Sequence, residues 1–515
     1  MKRQRFVSPR SLSRLLTEAA EAWKRQDYQQ TLDVLERVTR MDPANPGLHL
    51  DLGRAYGLRY RYEEAERCFE KAARVALQRA GTLIEAGRRC QEFGNYSLAR
   101  RYFERAAEEK GAPADVFVAL AEIEERHARL TEALALVERA LRLDSGSRSA
   151  RLAKARLDRL TGRLTDAEAG ARALLEGKDS DPWQRARAWY ELGHILDRQG
   201  RYDQAMDAFL EAKAIVRPAA AHHALALRGI QARVREMEET ITSGMFERWE
   251  AAASELGPPR QLAILCGHPR SGTTLLEQIL DAHPEIVTAE ETHILHDEAY
   301  LPLSRGVPAG ASVRALLESA AACRLRQSRE DYFRTVEAFL GTRLGSKTLV
   351  DKNPALNVLI PAIARIFPEA KLLVALRDPR DVCLSCFMQP LAPNPVSSAY
   401  LSLEGTVTQY LSVMGFWVTM RPRLRNPFLE IRYEELVEDL EAVARRALSF
   451  LGVAWDASVM RFHEHARGKL VRSPSYAEVS KPVSKQAIGR WQNYRLHLEP
   501  FMPRLEPMLK ALRYG

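Results

Sequence analysis

The first half of the chain repeats one pattern of small, apolar and charged positions. Small residues recur at steps of 34, at Ala19, Gly53, Gly87, Ala121 and Ala155, and Gly193 follows after a step of 38. Twelve residues after each of these comes a second, mostly small position: Thr31, Ala65, Ala99, Ala133, Ala167 and Ala205. Four residues further on, most units have a larger apolar residue: Leu35, Phe69, Phe103, Val137 and Phe209, with Ala171 as the exception. Small side chains at two fixed sites let paired helices approach closely, so the pattern predicts an α-solenoid of helical hairpins.

The repeat pattern is clearest in its last unit. Trp189-Tyr-Glu-Leu-Gly193 is followed there by Tyr202, Ala205, Phe209 and Ala212. Near the start of the chain, Asp42-Pro43 is expected to end the second helix of the first unit. Roughly residues 11–215, in about six units, resemble the tetratricopeptide repeat family. The resemblance implies a surface that binds a peptide or protein, and a spacer or dimerisation surface is the alternative.

The pattern changes after the repeats. Residues 216–257 have the spacing of one long charged helix, and Gly257-Pro-Pro259 is expected to end it. We therefore predict a repeat array over residues 1–215, a linker helix over 216–258 and an α/β domain over 259–515.

The second half alternates segments of strand and helix length. Apolar runs of strand length are Gln261–Cys266, Thr348–Val350, Lys371–Leu376 and Phe428–Arg432. Helical patterns lie between them, around residues 354–366 and 435–451. This alternation predicts a mostly parallel sheet with helices on both faces, and ligands of such folds bind at the carboxyl ends of the strands.

A glycine-rich loop follows the first predicted strand. It reads Cys266-Gly-His-Pro-Arg-Ser-Gly-Thr-Thr-Leu-Leu276 and leads into a helical pattern. A strand, a glycine loop and a helix in this order predict a P-loop-like phosphate site built from main-chain N–H groups. Thr273 stands where nucleoside triphosphatases have their lysine, and Arg377-Asp-Pro-Arg380 follows the strand that would hold magnesium. The sequence thus predicts a nucleotide whose charge is balanced by lysine and arginine without a metal.

Composition narrows the class of protein. Hydrophobic residues make up 46% of the 515 residues, and the formal net charge is +9, which suits an anionic ligand and is weak support for nucleic acid. The six cysteines are too scattered for a disulfide framework, and neither Cys383-x-x-Cys386 nor the pair His293 and His296 is interpreted as a metal site. The basic N-terminus is not followed by an apolar region, and nowhere do about 18 apolar residues run together. We predict a cytoplasmic protein without a membrane span.

The loop and the strand ends carry a more specific resemblance. PRSGTTLL at 269–276, followed by LRDPRDVCLS at 376–385, resembles the sulfotransferases that use 3′-phosphoadenosine 5′-phosphosulfate (PAPS). Residues 269–292 are similar to the protein-tyrosine sulfotransferases within that superfamily. The similarity covers about 261–500, and three further motifs occur in matching order: Asp351-Lys-Asn-Pro354, Arg432-Tyr-Glu434 and Ser475 with Lys481-Pro482 and Arg490-Trp491.

The resemblance implies a role for each matching residue in moving a sulfuryl group from PAPS to a hydroxyl, with a protein tyrosine as the leading acceptor. Glu291 matches the general base, and Arg270, Lys352 and Ser475 match residues at the transferred group and the bridging oxygen. The residues implied to bind the donor nucleotide are Arg270, Ser271, Gly272, Thr273, Thr274, Arg377, Ser385, Tyr433 and Arg490. No metal is implied.

The sequence departs from the family at several positions. Gln389 replaces an arginine of the 3′-phosphate site, and His293 replaces an arginine that binds the acceptor, which weakens the prediction of an acidic tyrosine peptide. Ala289 and Val350 stand where secretory members carry cysteines, which agrees with a cytoplasmic enzyme. Three alternatives stay open: a sulfotransferase for a glycan or small-molecule hydroxyl, a P-loop kinase, and a non-catalytic interaction protein whose α/β domain has decayed. In the enzyme, the repeats are expected to recruit a protein or peptide acceptor or to couple two subunits of a homodimer.

Overall fold

The computed structural model describes residues 9–176, 181–308, 310–468, 481 and 483–514. It forms two compact units, Met1–Leu157 and Asp158–Gly515. The predicted domain boundaries at 215/216 and 258/259 do not coincide with this division, and they remain predictions. Within the ranges given above, every helix is too short or too polar to span a lipid bilayer.

The first unit consists of helical hairpins. Its helices are α1 (Pro9–Lys24), α2 (Tyr28–Met41), α3 (Pro46–Leu58), α4 (Tyr62–Val75), α5 (Arg79–Glu92), α6 (Tyr96–Glu108), α7 (Ala114–Arg126), α8 (Leu130–Leu143) and α9 (Arg148–Leu160), in which the division between units falls. The predicted end of the second helix is confirmed, since α2 ends at Met41 with Asp42 as its C-cap.

The small positions have the predicted role in helix packing. A Cβ atom added at Gly53 would lie 2.5 Å from the ring of Phe69, and one at Gly87 would lie 2.5 Å from the ring of Phe103. Gly193 has the same relation to Phe209 at 2.6 Å in the second unit. Each glycine therefore makes room for the aromatic ring sixteen positions later, which fixes the distance between the paired helices.

The second unit begins with further helices: α10 (Leu164–Glu176), α11 (Pro182–Arg198), α12 (Tyr202–Ala220), α13 (Ala224–Thr240) and α14 (Ser243–Ala251). The single linker helix predicted over 216–257 is wrong in detail, because the chain is extended at Ile241 and Thr242 between α13 and α14. Ile241 is fully buried there. Burial of this side chain outweighs the helical spacing of the charged residues on either side.

Five parallel strands form the sheet, in the order β2-β3-β1-β4-β5. They are β1 (Leu262–Gly267), β2 (Ile286–Glu290), β3 (Thr348–Lys352), β4 (Lys371–Leu376) and β5 (Phe428–Arg432). The predicted α/β class and parallel sheet are confirmed, and β2 is a strand that the sequence pattern missed. All carboxyl ends lie at one edge of this sheet.

The helices of the α/β part are α15 (Thr273–Asp281), α16 (Val313–Ser319), α17 (Ala322–Leu340), α18 (Ile360–Ile366), α19 (Pro379–Phe387), α20 (Leu403–Met420), α21 (Tyr433–Glu438), α22 (Leu440–Leu451), α23 (Phe462–Gly468), α24 (Arg495–Leu498) and α25 (Met502–Ala511). Helices α15 and α22 pack on β1 and β5 through buried aliphatic residues such as Leu276, Ile279, Ala444 and Leu448. This core fixes α15, and with it the loop that precedes it.

Candidate active site

The loop between β1 and α15 is built on unusual backbone angles. Gly267 has a φ of 143°, Arg270 of 71° and Gly272 of 92°. A Cβ atom at Gly267 would lie 2.5 Å from the main-chain oxygen of Ala375 in β4, so only glycine fits there. The chain turns sharply and presents the first N–H groups of α15 at the carboxyl edge of the sheet, where a helix N-terminus attracts anions.

A buried histidine supports the loop from inside. The His268 side chain is fully buried, and its Nδ1 lies 2.9 Å from the carbonyl oxygen of Pro269. Burial lowers the pKa of His268 to about 4, so the ring is neutral at neutral pH and its Nδ1–H donates to Pro269. His268 thus stabilises the loop without adding charge to it.

Substitution of Gly272 by alanine is expected to weaken binding of 3′,5′-ADP by about tenfold. Its Cβ would lie 2.6 Å from Cδ2 of Tyr433, and the left-handed backbone costs a non-glycine residue about 1–2 kcal/mol. Isothermal titration calorimetry measures the loss. Gly341→Ala is the matched control, because Gly341 also has a positive φ but has no atom within 4 Å of the added Cβ. Equal affinity of the Gly272 variant and the parent protein would contradict the assignment of this loop.

Arginine side chains from neighbouring strand ends converge on the loop. Nε of Arg270 donates to Oγ of Ser385 on α19 at 3.0 Å, and Nη1 of Arg377 donates to the carbonyl oxygen of Arg270 at 3.2 Å. The guanidinium carbon of Arg377 lies 4.8 Å from the ring centre of Tyr433, and Nη2 donates to the carbonyl oxygen of Ala487. The structure therefore brings together Arg270, Arg377, Ser385 and Tyr433, although the sequence spreads them over more than 160 positions.

Lys352 lies at the end of β3 between two glutamates from the end of β2. Its side chain is 0% exposed, and Nζ donates to Oε1 of Glu291 at 2.9 Å and to Oε1 of Glu290 at 3.3 Å. Burial by itself lowers the pKa of Lys352, but the charges of Glu290, Glu291 and Glu277 outweigh it and raise the pKa above the usual value. The ammonium group is therefore charged at neutral pH.

Glu291 is held by its main chain as well as by its side chain. Its N–H donates to the carbonyl oxygen of Lys352 at 2.7 Å, and its φ is 50°. A left-handed backbone is uncommon for a residue other than glycine and concentrates at functional sites. The side chain is 33% exposed, in contrast to Glu290 at 4%. Glu291 is thus the carboxylate of this cluster that a substrate can reach.

Asp351 precedes Lys352 and titrates in an unusual range. Its side chain is buried, and Oδ2 accepts a hydrogen bond of 2.8 Å from the hydroxyl of Tyr332. Burial raises the pKa of Asp351 to about 7, although the bond from Tyr332 and the charge of Lys352 act in the opposite direction. The folded protein therefore holds this proton more tightly than the unfolded chain, whose aspartates have a pKa of ~3.9.

Asp351→Asn is expected to make stability less dependent on pH. Asp351 has a higher pKa in the folded protein than in the unfolded chain, so its protonation stabilises the fold. This stabilisation is fully present below about pH 4 and is lost as the pH rises through 7. The variant should exceed the parent in free energy of unfolding by up to about 4 kcal/mol at pH 8, and the gap should close towards pH 4. Urea unfolding across this range measures it, with Tyr332→Phe as a control that keeps the titrating group. A gap independent of pH would refute the explanation.

Arg490 is bound by a residue of the helical part of the second unit. Its Nη2 lies 2.6 Å from Oδ2 of Asp197 at the end of α11. Asp197 also accepts a hydrogen bond of 2.7 Å from the hydroxyl of Tyr494. No motif in the sequence pointed to Asp197.

The remaining predicted residues have different outcomes. Ser271, Thr273 and Thr274 are buried in the loop and the first turn of α15. Ser475 lies outside the described residues. Gln389 follows α19, and its carbonyl oxygen accepts a hydrogen bond of 3.2 Å from Nζ of the buried Lys213 on α12. His293 is exposed.

The Cys-x-x-Cys motif lies inside a helix of the α/β part. Cys383 and Cys386 are buried in α19, and neither is paired with another cysteine. In the part of the chain that the structure describes, there is no group of three or more His, Cys, Asp or Glu residues arranged to hold a metal ion.

Fold and site together define a repeat protein whose α/β domain has a P-loop-like turn between β1 and α15. Residues 263–457 match the sulfotransferase family, and residues 22–87, 84–148 and 186–217 match tetratricopeptide repeats. The chain therefore contains a sulfotransferase domain preceded by tetratricopeptide repeats, as the sequence predicted. Members of the sulfotransferase family generally take the sulfuryl group from PAPS.

Curated relatives share this domain at low identity. An uncharacterised protein of Aquifex aeolicus is 25% identical over 336 residues, which are 64% of this chain and 42% of that protein. Protein-tyrosine sulfotransferase 1 of Danio rerio is 27% identical over 262 residues, which are 49% of this chain and 72% of that protein. The chain thus spans less than half the length of the Aquifex relative.

Solved structures also resemble parts of the chain. The sulfotransferase domain from the Synechococcus PCC 7002 olefin synthase is 18% identical, covers 45% of this chain and 88% of that chain, and superposes with a TM-score of 0.33.

Proposed function

We propose that the protein transfers a sulfuryl group from PAPS to a hydroxyl, with a protein tyrosine as the leading acceptor. The observation that carries the proposal is the triad of Lys352, Glu290 and Glu291 at the carboxyl edge of the sheet. It combines a buried cation with one accessible carboxylate. The loop from Arg270 to Thr274 begins at the end of β1, next to β3 in the sheet.

The loop between β1 and α15, with the side chains around it, fits a donor nucleotide that carries two phosphate groups. Main-chain N–H groups at the start of α15 can bind the 5′-phosphosulfate, and Arg377 with Ser385 can bind the 3′-phosphate. Arg377 already lies against both the loop and Tyr433. A guanidinium group donates in a fixed fork, which matches a phosphate dianion.

Glu291 and Lys352, at the ends of β2 and β3, fit the chemistry of the transfer step. The acceptor oxygen forms a bond to sulfur while the bond from sulfur to the bridging oxygen breaks, and 3′,5′-ADP leaves. Glu291 takes the acceptor's proton, and Lys352 stabilises the negative charge that grows on the bridging oxygen. As Glu291 becomes neutral its attraction for Lys352 falls, which frees the ammonium group for the leaving oxygen. Ser475 and Arg270 are proposed to assist at the transferred group.

The repeats are proposed to bind the protein acceptor or a protein that delivers it. Helices α3 and α5 carry a charged groove lined by Asp51, Arg54, Glu85, Arg88, Arg89 and Glu92. Arg54 pairs with Glu92, and Nη1 of Arg89 lies 2.8 Å from Oδ1 of Asp51. A groove with both charges suits a polar peptide.

Two measurements test the proposal. Calorimetry with 3′,5′-ADP in the presence of EDTA should show binding, and labelled sulfuryl transfer from PAPS should be measured with tyrosine peptides, glycans and small phenols. Transfer to tyrosine peptides would support a protein tyrosine as the acceptor. Transfer only to a glycan or a small phenol would instead identify that hydroxyl as the acceptor. Binding of ATP with magnesium in place of 3′,5′-ADP would reject a sulfotransferase in favour of a kinase.

A further inference from the structure

The segment that carries Arg490 is held at its main chain by α19. The N–H groups of Gly489 and Trp491 each donate to the Asp381 carboxylate at 2.8 Å. The guanidinium carbon of Arg380 lies 4.1 Å from the ring centre of Trp491. These contacts fix the path of the chain on both sides of Arg490, but they leave the direction of its long side chain undetermined.

The side chain of Arg490 is directed by Asp197. The carboxylate of Asp197 is 12% exposed, and its two oxygens are used separately: Oδ2 pairs with Nη2 of Arg490 at 2.6 Å and Oδ1 accepts from Tyr494 at 2.7 Å. Asp197 lies in α11, the first helix of the last repeat hairpin. An arginine has five N–H groups, so one guanidinium group can contact a carboxylate and an anion at the same time.

The hairpin of α11 and α12 is firmly packed against this region. One apolar core contains Tyr190, Ile195, Leu196 and Phe209 from the hairpin together with Leu384, Phe387, Tyr494 and Leu498. Nζ of Lys213 on α12 bridges to the carbonyl oxygen of Gln389 at 3.2 Å. Asp197 is therefore set on a rigid element, which a positioning residue requires.

His194, one turn before Asp197, also lies among the arginines. Desolvation of its ring lowers the pKa of His194 well below the usual value, and the charges of Arg159, Arg490 and Arg270 lower it further. The charges of Arg490 and of the β1-loop arginine Arg270 therefore both act on His194, which lies one turn from Asp197 in α11.

We propose that the last repeat hairpin is part of the donor site, with Asp197 as a positioning residue that orients Arg490 towards the nucleotide. The inference rests on the proposed function, because Arg490 is assigned to the donor there. It adds a residue of the repeats, 293 positions away in sequence, to a site otherwise formed by the α/β part. The repeats then do more than recruit an acceptor.

The test uses the full chain and four variants: Asp197→Asn, Arg490→Gln, the double variant and Asp203→Asn. Asp203 is the matched control, because it lies on α12 and contacts His497 of the same C-terminal region at 3.3 Å but is exposed. Asp197→Asn should weaken binding of 3′,5′-ADP about tenfold and raise KM for PAPS to a similar degree, with kcat unchanged. Asp203→Asn should change neither.

The double variant shows whether Asp197 acts by positioning Arg490 or only by stabilising the fold. In the Arg490→Gln background, Asp197→Asn should weaken binding by less than about twofold, since the residue to be positioned is gone. Unchanged or tighter binding by Asp197→Asn would overturn the inference, and so would an equal loss in both backgrounds. If the parent protein binds no 3′,5′-ADP, the proposed function itself fails, and the inference fails with it.

Discussion

Glu291→Gln is expected to lower turnover by ~10²–10⁴-fold while leaving the affinity for 3′,5′-ADP unchanged. Glutamine has almost the same shape and can still accept the hydrogen bond from Lys352, which Glu291 receives at 2.9 Å. It cannot take the acceptor's proton. The loss should therefore appear in the chemical step, measured as single-turnover transfer of labelled sulfuryl groups from PAPS.

Glu290→Gln is the control for this experiment. Glu290 is the neighbouring carboxylate and also contacts Lys352, at 3.3 Å, but it is buried and out of reach of an acceptor. Its substitution should reduce turnover far less than that of Glu291. If the Glu291 variant keeps near-normal turnover on every acceptor that the parent protein uses, Glu291 is not the base.

Lys352→Met is expected to reduce both activity and stability. Loss of the cation at the bridging oxygen should cost ~10²–10³-fold in kcat. It also leaves the buried Glu290 beside the partly exposed Glu291 without a countercharge, and removal of one partner from a buried ion pair costs about 3–5 kcal/mol. Because the charges of Glu290 and Glu291 raise the pKa of Lys352, the ion pair stabilises the folded protein throughout the neutral pH range. This stabilisation is lost only in strong alkali, where the ammonium group loses its proton.

Lys352→Arg separates the two effects. It keeps the positive charge, so urea unfolding should show a smaller loss of stability than for methionine. A bulkier guanidinium group at a position without exposed surface should still displace the contact to Glu291 and lower kcat. Full activity of the methionine variant would remove Lys352 from the mechanism.

Elements with a strong local pattern could be predicted from the sequence. The repeat spacing predicted close packing of paired helices at small residues such as Gly53, and the structure shows that the ring of Phe69 fills the space there. Strand β4 was placed at its observed bounds, since Lys371–Leu376 is almost wholly apolar and is buried. The loop was recognisable because its glycines stand between an apolar run and a helical pattern.

Features that depend on distant contacts could not be predicted. Strand β2 begins with the β-branched Ile286, Val287 and Thr288, but so short a run is a weak signal until its hydrogen bonds to β3 are known. The left-handed backbone of Glu291 follows from its N–H bond to Lys352, some 60 residues later. The break at Ile241 follows from burial of one side chain, which the charged pattern around it conceals.

The shared core of α11, α12 and α19 also bears on how such a protein can change during evolution. A gene rearrangement that removed the final hairpin would expose the apolar residues of α19 that pack against it and would separate Asp197 from Arg490. The ancestry of this hairpin is therefore tied to that of the transferase, whatever modules have been joined in front of it.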